Sequence, residues 1–114
     1  MVNSIKKGKA GEREFAWFLR QHGYDARRGV QHKGTPDSPD VIGLPGFHIE
    51  VKRVQQLHLY HALKKATEEA GQNTPIIAHR KNREKWVVIL DAEDFLKVVK
   101  ENEDTKDKKL DSTP

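Results

Sequence analysis

The stretch Pro39-Asp-Val-Ile-Gly-Leu-Pro-Gly-Phe-His-Ile-Glu-Val-Lys-Arg53 restricts the fold more than any other part of the chain. Two short apolar runs, residues 40–43 and 47–53, flank Leu44-Pro45-Gly46, a composition that turns a chain tightly. They read as two strands folded back on each other. Side chains alternate along a strand, so Phe47, Ile49 and Val51 share one face and His48, Glu50 and Lys52 the other. The first face is wholly apolar and is expected on the core side. At ~3.3 Å of rise per residue, Glu50 and Lys52 stand roughly 7 Å apart. The turn would carry Asp40 to the same end of the sheet as Glu50.

The rest of the chain supplies helices for such a sheet. Residues 9–22 predict a helix, closed by Gly23 in the C-cap position, with Glu12, Phe15, Ala16 and Leu19 as its inward stripe. Residues 24–34 read as an extended segment or hairpin arm with a basic turn, and 34–39 as loop. A second helix is expected over 57–70, with Leu59, Leu63, Ala66 and Ala70 on one face and Gly71 closing it. Pro75 opens a buried strand over 76–79, basic residues fill the turn at 80–85, and 86–90 form a further strand. Asp91 is placed to cap a last helix, with Phe95, Leu96 and Val99 facing inward. Residues 1–101 are expected to form one domain, and 102–114, charged and poor in apolar residues, a disordered tail. The order α-β-β-β-α-β-β-α predicts an α/β layer arrangement around a central mixed sheet flanked by helices.

Charge points to a polyanion. Of 21 Lys/Arg and 17 Asp/Glu, three and five fall in residues 101–114, so the body carries a surplus of 6 cations against a net charge of +4 overall. The absence of Cys excludes disulfides and thiolate metal sites. No apolar run approaches the ~20 residues of a membrane span, and the basic residues at 1–9 precede no apolar stretch. A soluble protein of the cytoplasm is expected, with no membrane partner.

Converging carboxylates at Asp40 and Glu50 make an oxygen-rich site for a hard cation such as Mg²⁺, with the Val51 carbonyl as a further candidate oxygen. Such a cation polarises a phosphate and acidifies a bound water. Lys52 beside it would orient or deprotonate that water, or neutralise charge developing on the phosphate. Glu12 lies on the apolar stripe of the first helix, where a carboxylate needs a partner or a cation. A metal ligand, direct or through water, is one reading; a boundary residue paired with Arg or Lys is the other. Asp37, in a second Pro-Asp, lies among turn-forming residues and is the weaker candidate for the motif carboxylate.

Pro39-Asp40 followed by Glu50-Val51-Lys52 resembles the PD-(D/E)xK nuclease signature. The opening Lys7-Gly-Lys-Ala-Gly-Glu12-Arg-Glu14 and the helix after it resemble the archaeal-type Holliday junction resolvases, including small phage-encoded versions. The likeness runs over about residues 7–90 and includes the order of elements. It implies a restriction-endonuclease-like fold and a metal-dependent, structure-selective DNA endonuclease. Glu12, Asp40, Glu50 and Lys52 would be the catalytic set, with Mg²⁺, or Mn²⁺ in its place, as cofactor. A homodimer would cut opposing strands of a four-way junction. The resolvases usually carry a small Ser/Gly-containing loop after the first helix; here Arg27-Arg-Gly-Val-Gln-His-Lys-Gly34 fills that place, with Gln31 as a candidate polar contact.

Cations expected on DNA phosphates are Lys7, Lys9 and Arg13; Arg27, Arg28 and Lys33; Arg53; and Arg80, Lys81 and Arg83. Such contacts give affinity without reading sequence, which suits recognition of branched DNA by shape. His58 and His61, i and i+3 on the second helix, are expected at the surface or in helix packing, Tyr60 in packing, and Trp17 and Trp86 in the core or a dimer interface. Two other readings are a nuclease of flaps, nicks or duplex DNA, and a DNA-binding protein without cleavage.

Overall fold

The computed structural model describes the backbone of residues 4–29 and 38–111 and the side chains of 8–29 and 38–106. Gln31, Lys33 and Asp37, the loop at 34–37 and the side chain of Lys7 lie outside the described residues. The elements are α1 (Ser4–Gln21), β1 (Arg27–Arg28), β2 (Val41–Ile42), β3 (Phe47–Lys52), α2 (Leu59–Glu69), β4 (Thr74–His79), β5 (Val87–Ile89) and α3 (Ala92–Asp111). The strands form one mixed sheet in the order β1-β2-β3-β4-β5. Neighbours are antiparallel except β3 and β4, which run parallel in register from Phe47↔Thr74 to Lys52↔His79.

A parallel pair needs a crossover, and α2 supplies it. The consequence is a sheet covered on both faces. On one, Phe15, Ala16 and Leu19 of α1 pack against Val41, Ile49, Val51, Ile76 and Ala78. On the other, Ala62 and Ala66 of α2 pack against Ile77 with Leu57, Leu63 and Ile89. The apolar face of β3 is the core side, as its pattern predicts, but the opposite face is buried as well. His48 and Glu50 are 3% and 6% exposed, because the small residues of α2 let the helix lie close over them.

Gly23 adopts φ 91°, and the amides of Gly23 and Tyr24 donate to the carbonyls of Arg20 and Leu19, the expected C-cap of α1. Gly11 serves by its lack of a side chain. A Cβ there would stand 2.7 Å from Cβ of Arg53, so the first turns of α1 lie against the end of β3. Asp91 caps α3, its Oδ1 accepting from the Asp94 amide at 2.8 Å.

Helix α3 runs through residue 102 to Asp111, into the charged stretch that begins there. Residues 101–111 carry no helix breaker, and extending a formed helix costs far less than starting one. Phe95 and Leu96, expected inward, are 52% and 62% exposed, since among the described residues no other element packs closely over that face of α3. Tyr60, expected in packing, is exposed; Trp17 is exposed and so lies outside the core of the single chain, whereas Trp86 packs on Phe15 with ring centroids 4.8 Å apart. No helix among the described residues is long and apolar enough to cross a membrane.

Candidate active site

The antiparallel pairing of β2 and β3 brings the two halves of the motif together. The Asp40 amide donates to the Ile49 carbonyl at 2.8 Å, and the Val51 amide donates to Oδ2 of Asp40, also at 2.8 Å. At the expected carbonyl ligand Val51, the contact to Asp40 is therefore made by the amide, which fixes the carboxylate against β3. Asp40 and Glu50 also hydrogen-bond to each other, so the carboxylates converge as the turn-linked strands predicted. Burial above all, then the Asp40 charge and a hydrogen bond with Glu69, push the Glu50 carboxyl up to about 9.

Glu12 completes the acidic group from α1. Its side chain is largely buried, and desolvation raises its proton affinity. A hydrogen bond from Nε of Arg28, at 2.9 Å, opposes that rise, and the charge of Asp40 adds to it. Of the two sequence readings of Glu12, the pairing with an arginine is present, and Asp40 lies near enough for its charge to act on Glu12. Lys52 follows Glu50 on the same face and lines a cleft of about 160 Å³ with Gln56, His58 and His61 at the start of α2.

Behind Glu50 lie two residues that the sequence did not single out. Nε2 of His48 is 3.1 Å from Oε1 of Glu50 and 3.8 Å from Oε2 of Glu69 on α2. Period-2 alternation put His48 beside Glu50, but nothing in the sequence showed that the end of α2 would bring Glu69 there. Glu14 is a third such residue. It accepts from Nε of Arg53 at 3.1 Å and from the guanidinium of Arg80. Arg53 further donates to the Arg80 carbonyl and the Asn82 side chain. Arg28, Arg53 and Arg80, expected on phosphates, are thus engaged within the protein, whereas Lys9, Arg13, Arg27, Lys81 and Arg83 are exposed.

The family model for archaeal Holliday junction resolvase (Hjc) matches residues 3–108. The chain belongs to this family. A similar solved structure is that of Archaeoglobus fulgidus Hjc, a Holliday junction resolvase from an archaeal hyperthermophile. It is 25% identical with a TM-score of 0.56, over 74% of this chain and 72% of that one. No curated protein matches the chain. The mixed sheet between helices is accordingly the restriction-endonuclease-like fold of the resolvases. Membership makes the chain a junction resolvase: a structure-selective nuclease that binds branched DNA, hydrolyses it and serves recombination and repair. His48 and Glu69 lie with the motif carboxylate Glu50 in one group of potential ligand atoms.

Proposed function

We propose that this resolvase cuts DNA with a divalent cation, Mg²⁺ or Mn²⁺, held by Asp40 and Glu50, and that Glu12 and Lys52 complete its centre. The observation that carries this reading is the contact between Asp40 and Glu50, two carboxylates anchored on paired strands and partly desolvated. As anions they repel, and an all-oxygen donor set of that kind suits a hard cation. Bound there, the cation would polarise the scissile phosphate and lower the pKa of a water. The chain's own residues do the remaining work. The Val51 amide holds Asp40 in place, so the ligand is oriented before substrate arrives. Lys52, on the same face as Glu50, neutralises charge building on the phosphate oxygens or orients the attacking water. Glu12 acts through water or as a direct ligand, and Arg28 opposes the rise in its proton affinity that burial causes. The Val51 carbonyl is kept as a candidate further ligand.

On this reading DNA phosphates lie along the exposed Lys9, Arg13, Arg27, Lys81 and Arg83, and Lys7, Gln31 and Lys33 are kept as candidate DNA contacts. Arg28, Arg53 and Arg80 shape that surface from within. A four-way junction has two-fold symmetry, and paired incision is most simply made by a two-fold dimer. The exposed Val88 on β5 and Phe95 and Leu96 on α3 are apolar side chains that such a dimer would cover. A cytoplasmic setting suits a DNA enzyme of this kind. The test compares wild type with Lys52→Ala on a labelled four-way junction and on linear duplex, with and without Mg²⁺. Paired, metal-dependent cuts in the junction, lost in the variant, are expected. Cutting that survives in the variant or in chelator would overturn the proposed centre.

A further inference from the structure

His48 and Glu69 form a largely buried group with Glu50, and the cleavage chemistry leaves those two residues unexplained. Their ligand-type atoms all lie within 4.8 Å of one another. The side chains of His48 and Glu69 are 3% and 13% exposed; His48 meets both Glu50 and Glu69 on the side of the sheet that α2 covers, and a hydrogen bond joins Glu69 to Glu50. An imidazole and a second carboxylate are costly fillings for a space between a sheet and an alanine-lined helix, where apolar side chains would serve. Their contacts converge on one carboxylate. Oε1 of Glu50 meets the imidazole at 3.1 Å.

We infer that His48 and Glu69 are positioning residues for Glu50. His48 donates from Nε2 to Oε1 and fixes the rotamer of the ionised carboxylate, while Glu69, reaching in from the end of α2, stands beside the same nitrogen and holds the ring. Glu50 thereby meets the cation already oriented, and the cation's affinity depends on two side chains that never touch it. The inference rests on Glu50 being a metal ligand, and it goes beyond that reading by naming what aims the ligand. Loss of such an outer contact typically weakens metal binding by about 10–100-fold.

The experiment measures Mn²⁺ binding by electron paramagnetic resonance on the full chain without DNA, and the Mn²⁺ concentration for half-maximal junction cleavage. The chains compared are wild type, His48→Leu, His48→Gln, Glu69→Gln and Glu50→Gln. Junction affinity in chelator and melting temperature are recorded for each. For His48→Leu, Mn²⁺ affinity should fall by about 10–100-fold, junction affinity should stay within about two-fold, and cleavage should recover largely at saturating Mn²⁺. His48→Gln keeps an N–H donor and should restore much of the affinity, and Glu69→Gln should weaken it by a smaller factor. If His48→Leu does not fold, the comparison of Glu69→Gln and His48→Gln with wild type decides the matter. Wild-type Mn²⁺ affinity in every folded His48 and Glu69 variant overturns the inference, as does a spectrum showing nitrogen bound directly to Mn²⁺. Undiminished Mn²⁺ binding by Glu50→Gln would instead overturn the metal-ligand reading itself, so the two failures are distinguishable.

Discussion

Glu50 shows how far a fold can move one carboxylic acid from its behaviour in water. Its carboxyl is pushed from an ordinary value of 4.5 to about 9, mainly by burial and then by Asp40 and Glu69. In the metal-free protein the folded chain keeps a proton that the unfolded chain releases above about pH 4.5. The associated stability is fully present below that pH and is lost as pH rises through about 9. Denaturant titrations without metal should therefore show the protein weaker at pH 9 than at pH 6, by on the order of a few kcal/mol, and Glu50→Gln should remove most of that difference. Cleavage should respond in the opposite sense, since a cation must displace this proton. Asp40→Asn and Glu50→Gln should each lower junction cleavage by about 10²–10³-fold or more while leaving junction affinity in chelator within a few-fold, which gel shift and single-turnover assays would check. At this scale the sequence was informative about partners along one strand and silent about partners across elements. Asp40, Glu50 and Lys52 could be grouped from a turn and an alternation. Glu69 and Glu14 could not, because what they touch depends on where two helices come to rest.

Helices and strands were legible because their apolar periods differ. The order of all eight elements follows from stripes such as Phe15, Ala16, Leu19 and from the alternation at residues 47–52. Periodicity tells which residues share a face, but not what covers it. For that reason the face bearing His48 and Glu50 looked open and is buried, and the face bearing Phe95 and Leu96 looked buried and is open. Gly11 is the point where one element's sequence answers to another's position. Gly11→Ala would improve helix propensity by about 1 kcal/mol but force its Cβ against that of Arg53. A net destabilisation of about 1–2 kcal/mol is expected, with α1 and hence Glu12 displaced from Asp40, so thermal melts and cleavage rates should fall together. A gain in stability would mean that α1 tilts away without resistance.

For the molecule as a whole, the arrangement of charge and apolar surface makes separate predictions. Junction affinity should fall steeply with salt, and Lys81→Ala or Arg83→Ala should each reduce the logarithmic salt slope by about 0.9. Arg53→Ala should instead lower the melting temperature, because it removes part of the link through Glu14 between α1, β3 and the chain after β4. Equal slopes in all three variants would refute this division between surface and internal arginines. Val88→Asp together with Leu96→Asp should give monomers in analytical ultracentrifugation and uncouple the two cuts in a junction. A dimer persisting in that variant would place the interface elsewhere.

The projection of α3 also bears on how the protein moves through solution. The chain measures 63 × 29 × 27 Å with a radius of gyration of 15.8 Å, against roughly 13 Å for a compact domain of this length. A rod-tailed particle experiences more drag than a sphere of equal mass. A single chain of 13.1 kDa will therefore elute from a sizing column ahead of its mass, toward the volume of a larger globular protein. Elution volume alone would overstate the number of chains per particle, and light scattering, which weighs the particle directly, would report it correctly.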